Sequence, residues 1–401
     1  MRRAVAKKPG VLIVCDSYPP VLGGSEIEAQ RVARGLIDRG YRVRVLCSGG
    51  PPMPEIRHWT DPCGIPVSIL TRRSRGRMKD LMFALNVTWS LLVRRREYSL
   101  VYFLMQGLHL AFGLPTAHLL GKPSVVKISG DGILTIMKGV RMGRFELEKL
   151  LEWKIPVMLL NKQMFREAQS VGFPQEQLTW MPNPVEIDLF RPVSGDEQAK
   201  IRERLQLPPG AKIVIYTGRL STEKGIRELM RGVAEAARTC PEARMVLVGD
   251  GPIREELQAL GRILDQADDR FIFTGRVPLQ EIPNWLGAAD VFGLTSPNEG
   301  FSCSLLEAMS AGLPSVVSNI EANLQLVDEG IHGLTVQWND PRAIGAALLR
   351  LFEDEAMRAR MSSASRTRVV ENYSMDKVLQ RYEALFGRLP GLSDDGPHQT
   401  V

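Results

Sequence analysis

The feature that most constrains the fold is a strand–loop–helix–strand unit that occurs twice in the chain. In the first copy, the apolar run VLIVC (residues 11–15) precedes the loop SYPPVLGGSE, an amphipathic stretch and the run YRVRVLC. In the second copy, KIVIYTG precedes the loop RLSTEKG, the helical stretch IRELMRGVAEAA and the run RMVLVGD. Short apolar runs that alternate with helical periods predict parallel strands joined by helices. Each half of the chain is therefore predicted to form an α/β domain with a parallel sheet.

A proline-rich connection separates the two copies. Between residues 181 and 210 the chain passes through PNP, RPVSGD and LPPG without strand periodicity, which is typical of an interdomain connection. We predict an N-terminal domain over residues 1–190, a C-terminal domain over residues 191–372 and a final helix over residues 373–388. Residues 389–401 contain turn formers and few apolar side chains, which predicts a flexible tail.

The composition is that of a soluble globular protein, with 44% hydrophobic and 24% charged residues in a chain of 401. The five cysteines show neither paired nor metal-ligand spacing, which predicts reduced thiols and a cytoplasmic location. The apolar run after residue 10 is too short for a secretory signal and is better explained as a first strand. Residues 81–93 are too short to span a membrane and predict a buried or interfacial helix.

The net charge of +6 is unevenly distributed along the chain. Residues 1–190 contain 27 Lys and Arg against 16 Asp and Glu, a net charge of +11, whereas the remainder carries −5. Basic clusters lie at residues 72–79, 94–96 and 138–144, and such a face attracts anionic lipid, nucleic acid or acidic polymer. A solvated basic surface is the plain alternative. Because no aromatic-interleaved module accompanies the clusters, we predict no nucleic-acid partner and keep an anionic membrane surface as a hypothesis.

A strand-to-helix joint at residues 295–312, TSPNEGFSCSLLEAMSAG, carries two glutamates eight positions apart. Ser302 or Ser304 is predicted to cap the helix. Glu299 is predicted in the loop and Glu307 in the helix, about 7 Å along the axis from a cap at Ser302. The free N–H groups of the first helical turn favour an anion such as phosphate. A small ligand can thus meet one carboxylate at each end, although two solvated glutamates are the ordinary alternative.

Two further loops follow predicted strands. Arg219 and Lys224 lie five residues apart, and two cations in a short loop suit a diphosphate, although solvated surface charge is the alternative. Gly23 and Gly24 allow a ligand to approach the backbone next to a helix start, although a tight turn explains a double glycine equally well.

The sequence resembles one known family across roughly residues 10–385. EGFSCSLLEAMSAGLPSVVS is similar to the E-x7-E segment of the retaining glycosyltransferases of glycosyltransferase family 4, which have the GT-B fold. The same family pattern appears, in family order, as PPVLGGSE, MPNPVEIDLFRP, YTGRLSTEKGIREL, VLVGDGP and FTGRVP. The matching motifs are more specific in the second half of the chain than in the first.

The resemblance implies an α/β protein with two Rossmann-like parallel-sheet domains that face each other across a cleft. The N-terminal domain would bind the acceptor and the C-terminal domain the nucleotide-sugar donor, and the final helix would pack back on the first domain. By the same resemblance, Arg219 and Lys224 neutralise the donor pyrophosphate, Glu299 holds sugar hydroxyls and Glu307 binds the ribose. The further donor contacts that it implies are Gly23, Gly24, Arg276, Val277, Gly300, Phe301, Ser302 and Leu306.

The implied reaction moves a sugar from a UDP- or GDP-sugar to a glycan, lipid-linked or small-molecule acceptor. Charge develops on the leaving diphosphate, and fixed cations and N–H groups stabilise it. Because the chain contains no Asp-x-Asp pair, we expect no metal and no other cofactor. The resemblance further implies reaction on one face of the sugar, where the leaving phosphate helps to deprotonate the acceptor and no protein nucleophile is needed.

The sequence departs from the family pattern in the first domain. Where many relatives carry a histidine that approaches the donor sugar, this chain has Lys127, Ser129, Gly130 and Asp131. Asp131 is the substitute candidate for a sugar or acceptor contact, and a plain Asp-Gly turn is the alternative.

Three other functions compete with glycosyl transfer. An NAD enzyme is disfavoured because no G-x-G-x-x-G opens the first helix. A GT-B sugar-nucleotide epimerase would need an acid/base set of carboxylates and histidines in the first domain, and the sequence shows no such set. A non-catalytic, glycosyltransferase-like subunit that binds nucleotide sugars stays open as the alternative, because it explains the missing histidine.

Overall fold

The computed structural model describes residues 8–21, 23–49, 58–71, 76–104, 107–265 and 269–392. The chain divides into two compact units, Met1–Pro184 with Met375–Val401, and Val185–Ser374. The first boundary between the units, after Pro184, lies a few residues before the predicted boundary at residue 190. The second boundary, after Ser374, lies just beyond the predicted boundary at residue 372. Residues 72–75 of the first basic cluster, and residues 393–401 of the predicted flexible tail, lie outside the described residues.

An eight-stranded sheet forms the first unit, with strand order β3-β4-β2-β1-β5-β6-β7-β8. Its strands, in chain order, are β1 (Gly10–Cys15), β2 (Arg42–Cys47), β3 (His58–Thr60), β4 (Pro66–Ile69), β5 (Leu100–Leu104), β6 (Ser124–Lys127), β7 (Val157–Leu159) and β8 (Leu178–Trp180). All neighbouring pairs are parallel except β3 with β4, which is antiparallel. The sequence did not predict β3, because its residues HWT form no apolar run. This strand lies at the edge of the sheet, where it pairs with β4.

Helices connect these strands and cover the sheet. They are α1 (Gly24–Asp38), α2 (Arg77–Val93), α3 (Leu108–Leu119), α4 (Ile133–Gly139), α5 (Arg141–Glu152), α6 (Lys162–Ser170) and, after the second unit, α15 (Met375–Phe386). Helix α15 packs on α1 so closely that a Cβ at Gly35 would lie 2.4 Å from Leu379 Cδ1. The side chains of Leu379 and Tyr382 belong to the same buried cluster as the residues of β1 and β2.

A six-stranded, entirely parallel sheet forms the second unit, with order β11-β10-β9-β12-β13-β14. Its strands are β9 (Lys212–Thr217), β10 (Ala243–Val248), β11 (Phe271–Gly275), β12 (Val291–Leu294), β13 (Ser315–Ser318) and β14 (Gly333–Val336). Its helices are α7 (Gly195–Arg204), α8 (Ile226–Ala236), α9 (Arg254–Leu264), α10 (Ile282–Ala288), α11 (Cys303–Ser310), α12 (Glu321–Leu324), α13 (Pro341–Glu353) and α14 (Glu355–Asn372).

The continuous apolar runs explain why the central strands are parallel. Strands β1, β5 and β12 are buried along their whole length. Strands with helices on both faces lose contact with water on both faces, so their sequences show apolar runs rather than alternation. The predicted fold of two parallel-sheet α/β units is confirmed. Within the described residues, no helix is both long enough and apolar enough to cross a bilayer.

Candidate donor site at the carboxyl edge of the second sheet

The carboxyl ends of β9, β11 and β12 carry most of the predicted site residues. In open α/β sheets, ligands bind outside the carboxyl ends of the strands. Arg219 and Lys224 follow β9, Arg276 follows β11, and Glu299 follows β12. The fold therefore brings together, at one edge of one sheet, residues that are up to 80 positions apart in sequence.

The loop after β9 is fixed by the backbone of the neighbouring loop. Leu220 N–H donates to Asp250 O at 3.0 Å, which ties the loop after β9 to the loop after β10. The Tyr216 hydroxyl donates to Arg219 O at 2.9 Å. Burial raises the pKa of Tyr216 well above its usual value, so this donor keeps its proton. Because these hydrogen bonds hold the loop backbone in place, the exposed Arg219 side chain extends from a fixed position.

Gly225 allows the loops after β9 and β12 to touch. Its φ is +63°, and a Cβ there would lie 2.0 Å from Thr295 O. The Thr295 hydroxyl donates in turn to Gly225 O at 2.8 Å. Sequence reasoning missed Gly225 and Thr295 as positioning residues; the only signal was a glycine directly after the cationic loop. Together they hold the loop that carries Lys224 against the loop that carries Glu299.

Lys224 and Glu299 form an ion pair that the sequence did not predict. Lys224 Nζ lies 2.8 Å from Glu299 Oε1 and 3.0 Å from Oε2. The carboxylate side chain is 7% exposed and the ammonium side chain 28% exposed. A buried carboxylate needs a compensating charge, and the lysine supplies it. Lys224 therefore lies between a fixed carboxylate and solvent, where an incoming anion can share its remaining N–H donors.

Ser302, one of the two serines predicted as a cap, is the N-cap of α11. Its Oγ accepts a hydrogen bond from Leu305 N–H at 3.2 Å, and the Ser304 hydroxyl lies 3.2 Å away. Glu307 is buried in the same helix, and the Phe301 ring packs against Tyr373 at 6.0 Å. The Ser302 cap and the packing of Phe301 thus hold the start of α11 in place, next to the half-buried Gly300.

Two other predicted contacts have different surroundings. Leu306 is buried and its N–H donates to Ser302 O at 3.2 Å, which favours packing over direct ligand contact. Arg276 is exposed and Val277 half-buried, directly after Gly275. Gly275 O accepts from Gly249 N–H at 3.0 Å, so this loop is tied to the one after β10.

The predicted residues of the first unit are Gly23, Gly24 and Asp131. Gly23 caps α1, and the Glu26 carboxylate folds back over it: a Cβ at Gly23 would lie 2.2 Å from Glu26 Oε2. The Ser17 hydroxyl donates to the same carboxylate. Glu26 therefore already supplies the negative charge that a helix start favours, in the position where the sequence suggested a phosphate.

Asp131 lies in a turn at the carboxyl end of β6. Its carboxylate accepts from Asn161 Nδ2 at 2.9 Å, and Gly132 follows with φ +76°. These contacts match the turn alternative and hold Asp131 half-buried.

In the same region, Lys127 and Glu28 form a buried ion pair. The Lys127 ammonium contacts the Glu28 carboxylate and donates to Asn183 Oδ1 at 3.1 Å, and both charged side chains are fully buried. Burial raises the pKa of Glu28, and the adjacent Lys127 opposes that rise. Lys127 lies in the segment where many relatives carry a histidine. Its contacts with Glu28 and Asn183 hold its side chain inside the first unit.

Comparison with known proteins finds a family match within the second unit. Residues 197–368 match the family model described as Glycosyl transferases group 1. The 2-deoxystreptamine glucosyltransferase of Streptomyces kanamyceticus is 24% identical over 387 residues, covering 90% of this chain and 99% of that protein. The 2-deoxystreptamine N-acetyl-D-glucosaminyltransferase of Streptomyces fradiae is 26% identical over 395 residues, covering 92% and 93%.

A solved structure supports the same assignment of fold. The structure of Anabaena HepE in complex with UDP aligns with a TM-score of 0.76 at 20% identity, covering 94% of this chain and 99% of that one. The fold of two parallel-sheet units is therefore GT-B. The family match over residues 197–368, the similarity to two full-length glycosyltransferases and the GT-B fold all agree with the family that the sequence motifs resemble.

Proposed function

We propose that this chain is a retaining glycosyltransferase that moves a sugar from a UDP- or GDP-sugar to a glycan, lipid-linked or small-molecule acceptor. The observation that carries the proposal is the carboxyl edge of the second sheet, where Arg219, Lys224 and Glu299 meet the start of α11. Two cations and a helix start suit a diphosphate, and the carboxylate suits sugar hydroxyls.

Each group has a role in the proposed reaction. The bond between the sugar and the diphosphate breaks, and negative charge develops on the leaving phosphate oxygen. Arg219, Lys224 and the N–H groups at Ser302 stabilise that charge, because they are held in place before the reaction begins. The leaving phosphate accepts the acceptor hydroxyl proton, and the acceptor oxygen bonds to the sugar on the same face. No protein nucleophile and no metal ion take part in this mechanism.

The relatives support a nucleotide-sugar donor and include both UDP-sugar and GDP-sugar enzymes. An Escherichia coli relative, 31% identical over about half of each chain, is a UDP-Gal:α-D-GlcNAc-diphosphoundecaprenol galactosyltransferase. A Mycolicibacterium smegmatis relative, also 31% identical over about half, is a GDP-mannose-dependent mannosyltransferase acting on a phosphatidylinositol monomannoside. Glu307 is assigned to the ribose, which both nucleotides share, so this contact is the same for UDP- and GDP-sugars.

The test is the release of free nucleoside diphosphate from a panel of UDP- and GDP-sugars, with and without candidate acceptors. We expect acceptor-dependent release by the wild type and at least a tenfold loss in Arg219→Leu, since a charged hydrogen bond is worth about 1.5–3 kcal/mol. Arg238→Leu is the matched control, because Arg238 is exposed in the same unit but lies beyond α8, away from the site. A product with inverted anomeric configuration would contradict the retaining mechanism.

The alternative, a non-catalytic subunit, makes a different prediction in the same experiment. The family histidine of the first domain is absent, and Lys127 is buried in an ion pair. A binding subunit would be stabilised thermally by the nucleoside diphosphate and its sugars, by about 2.7 kcal/mol at 100 times the dissociation constant, without any release. Binding without turnover across the panel would favour this alternative.

A further inference from the structure

Helix α2 of the first unit exposes a continuous apolar stripe to solvent. Trp89 is 65% exposed and Met78 63% exposed, although both are large apolar side chains. The exposed members of the stripe are Met78, Leu81, Met82, Leu85, Trp89, Leu92 and Val93. At 3.6 residues per turn these positions fall within an arc of about 120°. The stripe therefore forms one face of the helix along almost its whole length.

The fold does not need this stripe for its own core. The opposite face of α2 is buried through Phe83, Val87 and Leu91. A helix on the surface of a globular protein normally has one apolar face and one polar face. Helix α2 has apolar side chains on both faces, and only one of them is covered. Exposed apolar patches of this kind mark interaction surfaces.

A second exposed segment of the same unit alternates apolar and basic side chains. Along residues 136–145, the exposed apolar residues are Ile136, Val140, Met142 and Phe145. The exposed basic residues between them are Lys138, Arg141 and Arg144. No Asp or Glu occurs within residues 136–145. Helix α3 packs against both α2 and α5, so the two segments belong to the same helical layer.

Positive charge also borders the α2 stripe. Arg95 and Arg96, directly after the helix, are exposed, and Lys79 in its first turn is half-buried. The exposed acids nearby are Asp80 and Glu97. Arg94 lies within 3.1 Å of Glu97, so Glu97 is already offset by a neighbour. The surroundings of the stripe thus carry a net positive charge.

We propose that the α2 stripe and residues 136–145 together form a docking surface for an anionic membrane. Apolar side chains that enter the boundary between headgroups and acyl chains, with basic side chains at headgroup level, are the pattern of an interfacial helix. Lys and Arg near an anionic leaflet add electrostatic attraction. A second copy of this chain is disfavoured as the partner, because a two-fold contact would bring like charges together. The surface is independent of the donor site, so the proposal does not rest on the transfer reaction.

The experiment is co-sedimentation of the full chain with vesicles of phosphatidylcholine alone and of phosphatidylcholine with phosphatidylglycerol, at low and physiological salt. We expect binding to the anionic vesicles that weakens with salt. The variant Leu85→Ser/Trp89→Ser should reduce the partition coefficient at least tenfold. The matched control Ile263→Ser/Ile331→Ser removes two exposed apolar side chains from the second unit and should bind like the wild type.

A charge variant tests the electrostatic part separately. Arg141→Glu/Arg144→Glu should lower binding to anionic vesicles and leave the weaker binding to phosphatidylcholine unchanged, because only the former depends on headgroup charge. Absence of wild-type binding at low salt would overturn the proposal, as would an equal loss in the Ile263/Ile331 control. A dimer that dissociates in the Leu85/Trp89 variant, without any vesicle binding, would show that a second copy covers the stripe.

Discussion

Glu146 provides a quantitative test of how burial controls charge in the first unit. This carboxyl group lies in α5 and is 3% exposed. Burial raises its pKa to about 7, against the opposing effect of hydrogen bonds from the backbone N–H groups of Gly107 and Ala111 at the start of α3. Within the part of the chain that the structure describes, Glu146 Oε1 has no hydrogen-bond partner.

The direction of the pH dependence follows from the two states. In the unfolded chain the group releases its proton near pH 4.5, whereas in the folded chain it keeps the proton up to about pH 7. Stability is therefore greatest below pH 4.5 and falls as the pH rises towards 7, because only the unfolded state then gains from ionisation. The rise of the Glu146 pKa from 4.5 to about 7 corresponds to about 3 kcal/mol, of which about 2.5 kcal/mol is lost between about pH 5 and about pH 8.

The perturbation is Glu146→Gln, which removes the titration and keeps the shape. We expect the free energy of unfolding of the variant, relative to wild type, to rise by about 2.5 kcal/mol between about pH 5 and about pH 8. Urea unfolding read by hydrogen-exchange pulses at β5 reports on the first unit by itself. The control is Glu148→Gln, since Glu148 is exposed on the same helix. An equal pH dependence in both variants would refute the reasoning.

Three further predictions concern other parts of the chain. Lys127→Met should destabilise the first unit in urea by about 3–5 kcal/mol because it leaves the buried Glu28 carboxylate uncompensated, and adding Glu28→Gln should recover part of that loss; no recovery would contradict the pairing. Gly225→Ala should lower the melting temperature of the second unit more than Gly210→Ala, since both have positive φ but only the former clashes; equal effects would contradict the clash. Excess EDTA should leave sugar transfer unchanged, and loss restored by magnesium or manganese would show a metal requirement.

The parallel strands could be predicted, because each of them shows a local pattern in the sequence. The runs that became β1, β9 and β12 are short, apolar and followed by loops and helical periods, which is how parallel strands appear in sequence. The Ser302 cap was predictable for the same reason, since a cap and the helix that follows are contiguous. The edge strand β3 escaped prediction, because its pairing with β4 rather than its own composition makes it a strand.

The contacts that shape the candidate site could not be predicted, because they join distant parts of the chain. The pair between Lys224 and Glu299 spans 75 positions, and the pair between Lys127 and Glu28 spans 99. Residue types alone show which side chains can pair but not which loops the fold brings together. The sequence of α2 likewise predicted a buried or interfacial helix, and only the structure showed that one apolar face is buried and the other exposed.

The most direct test of the central claim is the affinity for free UDP and GDP, measured calorimetrically in Lys224→Met and Glu299→Gln. Lys224 is assigned to the diphosphate and Glu299 to the sugar, although the two side chains are in contact. We expect at least tenfold weaker binding in Lys224→Met, from the loss of a charged hydrogen bond worth about 1.5–3 kcal/mol. We expect unchanged or tighter binding in Glu299→Gln, which releases the ammonium, together with reduced turnover. Wild-type affinity in Lys224→Met would contradict the placement of the donor at this edge of the sheet.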